Sequence, residues 1–249
     1  MIKILVIGEK CIDKFIYGDV NRLSPEAPIP VFIPKRTNIN DGMAGNVVSN
    51  LKSLIDPDDI EIDYIYPESE IIKTRYVEDK SNHPFIRIDE NDKVNNINLS
   101  EEIILKIKSA DAVIVSDYDK GFLNEGDLYH IGIYSKFSVL DSKKKLDKST
   151  IQSFTFIKLN ESEFKRNYTE DNELLKKIII TLGSKGAKYN NKVYPSWAPR
   201  ETIDVSGAGD TFTASFTYRY LMTQDIDESI EFANQLATRV VSKRGVSVP

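Results

Sequence analysis

Residues 204–222 read Asp-Val-Ser-Gly-Ala-Gly-Asp-Thr-Phe-Thr-Ala-Ser-Phe-Thr-Tyr-Arg-Tyr-Leu-Met. Phe212, Phe216 and Tyr220 recur every fourth position, which predicts one face of a buried helix with Gly207-Ala208-Gly209 at its N-terminus. Small residues there let a ligand approach the backbone, and the unpaired N–H groups of a helix start favour an anion. Asp210 then sets a carboxylate beside that anion site. Such a neighbour repels phosphate unless it has a chemical task, such as taking a proton from an attacking hydroxyl. The alternative makes Asp210 a first-turn residue favoured by the helix dipole, with the glycines in an ordinary loop. Spacing alone leaves both readings open.

The elements that must carry this turn follow from hydrophobic pattern. Short β-branched runs at Ile2–Ile7, Ala112–Ser116, Ser138–Asp141, Thr155–Leu159 and Ile178–Leu182 read as buried parallel strands. Helices are predicted at Ala44–Leu54, at Ser100–Ser109 with Ser100 as N-cap, and more weakly at Ser162–Lys177. This alternation predicts an α/β fold with a doubly wound, mostly parallel sheet, whose ligands bind beyond the carboxyl ends of its strands. Two segments break the rhythm. Phe15–Pro34 carries Pro25, Pro28, Pro30 and Pro34 and reads as edge strand plus loops. Ile71–Asp89 alternates, with Lys73 and Arg75 on one face and Arg87 downstream. These segments predict either a small β-flap, with lid strands within 13–35 and 71–90, or a solvated edge hairpin.

The 249 residues carry 33 basic and 38 acidic side chains, a net charge of −5, which argues against a nucleic-acid partner. One cysteine, Cys11, excludes an internal disulfide, and with only His83 and His130 it excludes Cys/His zinc spacing. With a mean hydropathy of −0.33 and no apolar run of membrane-spanning length, we expect a cytoplasmic protein without a membrane partner. No linker or repeat divides the chain, so 1–249 is expected to be one domain. Gly183 and Gly186 are followed by Ala187, so no Walker A loop is present. The Lys143-Lys144-Lys145 run could attract phosphate, but a lysine run usually reads as just a solvated loop.

Asp204-Val-Ser-Gly-Ala-Gly-Asp210 resembles the C-terminal signature of the ribokinase-like (PfkB) carbohydrate kinases. Gly42-Met43-Ala44-Gly45-Asn46 resembles the family's N-terminal signature, Asn160-Glu161-Ser162-Glu163 its Asn-x-x-Glu, and Thr181-Leu182-Gly183-Ser184-Lys185-Gly186 its nucleotide loop. The resemblance implies a ribokinase-like fold and an ATP-dependent kinase. Gly207, Ala208 and Gly209 would form the anion hole and Asp210 would be the general base. Gly42 and Asn46 would meet the sugar. Asn160, Glu163, Thr181, Gly183, Gly186 and Asn234 would serve ATP, with Glu163 near Mg2+ and Asp204 near a monovalent cation such as K+.

The stretch from Gly18 to Val31, with Lys73-Thr74-Arg75, Arg87-Ile88-Asp89 and Ser116-Asp117-Tyr118, is similar to bacterial heptose-phosphate kinases. That likeness implies phosphorylation of D-glycero-β-D-manno-heptose 7-phosphate at C1, on the way to ADP-heptose and lipopolysaccharide. Asp13, Lys73, Arg75, Arg87 and Asp117 join Gly42 and Asn46 as substrate-binding candidates. A homodimer through the lid is a candidate assembly. The alternatives are a kinase for another sugar or sugar phosphate, or a binding protein that has lost turnover. Departures from the pattern are Glu9 in place of aspartate, Met43 in place of a glycine, and a short Leu54–Ile71 stretch where relatives carry a strand–helix–strand excursion. No adenylyltransferase segment follows Pro249, so the kinase half alone is expected.

Overall fold

The computed structural model describes residues 1–197, 205–242 and 248. The chain opens with strands β1 (Ile2–Gly8), β2 (Lys10–Leu23) and β3 (Pro30–Met43), then helix α1 (Ala44–Leu54). Next come β4 (Ile60–Ile65), β5 (Ile71–Glu78) and β6 (Pro84–Glu90), followed by α2 (Glu101–Ser109), β7 (Ala112–Asp117) and α3 (Glu125–Tyr134). The middle continues with β8 (Ser138–Ser142), α4 (Lys148–Ser153), β9 (Phe156–Asn160), α5 (Glu161–Arg166) and α6 (Asn172–Leu175). Strands β10 (Ile178–Thr181), β11 (Ala187–Tyr189) and β12 (Lys192–Tyr194) precede the long helices α7 (Ala208–Thr223) and α8 (Ile226–Val240).

Eight strands form the main sheet in the order β12-β11-β10-β9-β8-β7-β1-β4, parallel from β10 to β4. Alternation along each central strand sends side chains to two cores, because both faces are covered. Ile4 and Val6 of β1 and Ile114 of β7 pack under α1 and α7. Leu5, Ile7, Val113 and Val115 pack on the other face with Ile107 of α2, Leu128 of α3 and Ile151 of α4. The predicted aromatic face of α7 forms as a stack, Phe212 on Phe216 on Tyr220, against Phe156 of β9.

The chain visits β4 on one side of β1 and then crosses to β7 on the other. The carboxyl ends of β1 and β7 therefore border the point where strand order reverses, the place where such sheets bind ligands. The two ends touch closely, since a Cβ on Gly8 would fall on the carbonyl oxygen of Ser116.

A second sheet, β3-β2-β5-β6, stands over that end of the main sheet. It is the predicted flap, but larger than 13–35 and 71–90, because strand pairing runs from Lys10 through to Met43. The prolines are accommodated at its rim. Pro25 and Pro28 lie in the β2–β3 loop, and Pro30 and Pro34 lie on the edge strand β3, where no ladder donor is needed on the outer side. The predicted Ser162–Lys177 helix is instead two short pieces. Between them Asn167 accepts from the Leu146 N–H and donates to the carbonyls of Lys144 and Glu163, a tertiary anchor that outweighs helix continuation. Among the described residues no helix is long and apolar enough to cross a membrane.

Helices α3 and α4 meet through Gly132, where a Cβ would overlap the Ser153 side chain and come within 2.9 Å of its carbonyl carbon. Gly132→Ala should lower stability by about 1–3 kcal/mol. The measurement is a denaturant midpoint at unchanged slope, and an unmoved midpoint would mean that this contact yields freely.

Candidate active site

Gly207 takes the left-handed conformation, φ 81°, and turns the chain into α7 with no side chain capping the helix start. The amide end of a sixteen-residue helix is thus left to an anion. A Cβ on Gly209 would lie 3.0 Å from the Lys158 ammonium beneath, so a larger residue there would push that ammonium aside. One position later, Asp210 is buried, 3% exposed.

Two donors reach it from elements far away in sequence. The Tyr118 hydroxyl, just past β7, donates to Oδ1 at 2.6 Å. The Asn46 amide, from α1, donates to Oδ2 at 2.9 Å. Asn46 is itself oriented, since Asn50 one turn on donates to its Oδ1 at 2.9 Å and so turns the NH2 group toward Asp210. Burial pushes the Asp210 carboxyl up to about 6, with the Tyr118 and Asn46 hydrogen bonds pulling the other way. A base with that value is ionised at neutral pH yet basic enough to take a proton.

Beneath the turn lies a buried ion cluster. Asp141, at the end of β8, receives the Lys158 ammonium at 2.7 Å and has Lys143 at 3.6 Å. Burial raises the Asp141 carboxyl, but the Lys158 and Lys143 charges outweigh it and hold it below its ordinary value. Lys143 also reaches Glu163 at 2.8 Å. The lysine run is therefore a correction to the sequence reading: Lys143 joins this cluster, and Lys144 pairs with the fully buried Asp117 at 2.6 Å. Lys158 went unnoticed in the sequence, although a charged residue inside the apolar run of β9 was a signal.

Asn160 and Glu163 form a reciprocal capping box at the start of α5, each side chain taking the other's backbone N–H. Both Glu163 oxygens are thereby occupied, one by the Asn160 N–H and one by Lys143. Asp117 is similarly enclosed by Ser142 and Lys144 rather than open to a substrate. Asp204 lies outside the described residues.

A cleft of about 730 Å³ opens on one side of the turn, lined by Asn160, Thr181, Gly183, Gly186 and Asn234 together with Gly207 to Asp210. Gly186, φ 93°, is required there, because a Cβ would strike the Tyr194 carbonyl. Asn234 donates to that same carbonyl at 3.1 Å. On the other side stands the lid. Strand register sets Asn40, Asp13, Lys73 and Asp89 in one row and Asn38, Phe15, Arg75 and Arg87 in the next, all on one face. Arg75 pairs with Asp13, and Arg87 with Asp89. Lys73 makes no ion pair among the described residues and lies 5.6 Å from the Tyr118 ring. Gly42 fits tightly, since a Cβ would meet the Asp13 carboxylate and the Cys11 sulfur. Met43 follows with φ 56°, the left-handed backbone that glycine adopts freely, and its side chain is buried against Cys11 and Ile71.

Asp141 compensates the Lys158 ammonium at the floor of the cleft, and both side chains are almost fully buried. Asp141→Ala should therefore cost about 3–5 kcal/mol in chemical denaturation, because it strands the ammonium. A loss below about 1 kcal/mol, the size typical of exposed pairs, would show that water reaches the cluster.

A family model described as pfkB family carbohydrate kinase matches residues 42–249. The bifunctional protein HldE of Helicobacter pylori (strain J99) is 31% identical over 98% of this chain and 64% of its own length. That of Campylobacter curvus (strain 525.92) is 30% identical over 98% of the chain and 62% of its own length. This chain thus spans less than two thirds of the relatives it matches. The Helicobacter alignment runs to 299 positions, longer than the 249-residue chain, so the relative carries stretches this chain lacks. Among solved structures, Arabidopsis thaliana ribokinase in complex with ribose and ATP superposes with a TM-score of 0.70 at 15% identity, covering 98% of this chain and 94% of that one. Methanocaldococcus jannaschii nucleoside kinase superposes with a TM-score of 0.68 at 18% identity, covering 99% and 93%. The fold is ribokinase-like, and the chain belongs to the pfkB family of carbohydrate kinases.

Proposed function

We propose that this kinase phosphorylates D-glycero-β-D-manno-heptose 7-phosphate at C1. Asp210 takes the proton of the C1 hydroxyl, whose oxygen attacks the terminal phosphorus of ATP. The bond to the bridging oxygen breaks and ADP leaves. Positive charge to meet the transferring phosphoryl group is supplied by the start of α7 and by Lys158 and Lys143 beneath it. Asn160, Thr181, Gly183, Gly186 and Asn234 line the side on which the nucleotide would lie.

Magnesium fits this site only as an ion carried by the nucleotide. No cluster of three ligating side chains exists among the described residues, and Glu163 is already engaged. Mg2+ commonly keeps its waters and substrate phosphates as ligands, and there it would neutralise charge on the ATP phosphates. Glu163 would act on it at a distance, by holding Lys143. A homodimer through the lid would cover Ile39, Ile86 and Ile88, which the lid exposes.

The observation that supports a substrate already bearing a phosphate is the placement of Arg75 directly opposite Arg87 on adjacent strands. Like charges facing each other are unfavourable unless anions offset them; Asp13 and Asp89 do so here, and a substrate phosphate would add a further anion to a row in which Lys73 makes no ion pair among the described residues. Lys73 lies two residues along on the same face, at the end nearer Tyr118. A plain sugar has no charge for this face to meet.

Asp210→Asn should leave ATP binding nearly intact and lower turnover roughly 10²–10⁴-fold. In the parent, turnover should rise with pH through about 6, because the carboxyl must be ionised to accept a proton. Turnover in the variant within a few-fold of the parent would end the assignment.

Arg87→Ala should weaken binding of the heptose phosphate about tenfold or more, the worth of one charge-assisted contact. ATP affinity should not change, and the dephosphorylated sugar should lose much less. Titrations showing equal losses for both sugars would make Arg87 a support of the lid, and no loss with either would remove it from the site.

A further inference from the structure

Glu9 and Tyr118 emerge side by side from the carboxyl ends of β1 and β7, where Gly8 and Ser116 are register partners. The Glu9 carboxylate is fully buried and has no cationic partner among the described residues. It is occupied by backbone: one oxygen accepts from the Tyr118 N–H at 2.8 Å, the other from the N–H groups of Lys120 at 3.0 Å and Phe122 at 3.4 Å. One side chain thus fixes the loop that carries Tyr118.

The Tyr118 ring packs with Cys11, Met43 and Ile71 at the base of the lid, with Lys73 at 5.6 Å and Lys143 at 5.2 Å from its centre. Two cations therefore lie near the ring whose O–H is a hydrogen-bond donor. That donor ends on Asp210.

We propose that Tyr118 is a positioning residue for Asp210, and that Glu9 acts on Asp210 through Tyr118 by setting the height and angle of the loop. The inference rests on Asp210 as the proton acceptor. Tyr118 on Oδ1 and Asn46 on Oδ2 fix the plane of the carboxylate and leave each oxygen a second lone pair. Burial and the Asp210 charge keep the phenol protonated, so it remains a donor across the working range. A donor to the ionised form lowers the pKa of the carboxyl that burial has raised. The other groups acting on Asp210 are Asp141 of β8, Lys158 of β9, Lys143 after β8 and Cys11 of β2. None of them contacts the phenol oxygen through a hydrogen bond among the described residues.

The test is a titration of carboxyl-13C-aspartate protein, with the Asp210 resonance assigned by its loss in Asp210→Asn. In Tyr118→Phe its midpoint should rise by about one unit, a charge-assisted hydrogen bond expressed as a pKa. Glu9→Gln should shift it the same way but less, and the double variant no further than Tyr118→Phe alone. The acid limb of turnover should follow the resonance. If the resonance moves and the limb does not, Asp210 is not the base although Tyr118 still holds it. A midpoint unmoved in Tyr118→Phe would overturn the proposal, as would shifts of the two single variants that simply add. Thermal melts of both variants separate this from a structural role, which would change stability and leave the midpoint in place.

Discussion

Removing a carboxylate from water costs several kcal/mol unless donors replace the lost solvent. Asp210 is nonetheless buried beside a helix start that attracts negative charge. Its two donors come from the loop after β7 and from α1, so both must be brought to one point within a few tenths of an ångström. Much of the architecture answers that requirement. The main sheet fixes the β7 loop, α1 packs on both the sheet and α7, and Asn50 turns the Asn46 amide the right way round. An unsupported donor would leave either a neutral acid or an unpaired charge, and neither can run proton transfer at neutral pH.

The same logic governs the layer beneath. Lys158, Asp141, Lys143 and Glu163 form, in that order, a chain of alternating charge, most of it buried. Alternation lets cations sit under the glycine turn with a carboxylate beside each. Thr213 on α7 donates to Asp141 at 3.3 Å and so links the cluster to the helix that carries Asp210. The anion-binding turn and its cations therefore share one rigid support.

How much of this could be read from residues alone depends on the distance over which each interaction acts. Strands β1, β7, β8, β9 and β10 were visible because parallel strands buried on both faces are continuous apolar runs. Helix α7 was visible through Phe212, Phe216 and Tyr220, and the glycines before it through the turn chemistry they permit. The partners of Asp210 were not, since Tyr118 and Asn46 lie 92 and 164 residues away and no local period encodes such a pairing. Asn46 entered only through family likeness. Glu9 registered as a departure from a pattern, while its service to three backbone N–H groups needed the fold to be seen. Lys143 and Lys144 misled for the opposite reason, because a lysine run looks solvated whenever the carboxylates facing it are distant in sequence. Strands of three residues such as β11 and β12 carry too little pattern to stand out.

The lid is joined to the body with almost no slack on two of its four connections. Only Glu9 separates β1 from β2, and β3 runs into α1 with no intervening residue, through the left-handed Met43. Both residues are buried, so the root of the lid cannot swing as a hinged door would without tearing at the core. Slack lies instead in the two longer connections, from β4 to β5 and from β6 to α2. Gly42, Tyr118 and the Asn46 that α1 carries are packed into that root. Order at the root is thus part of folding, and a ligand bound there would have little left to order in Tyr118 and Asn46.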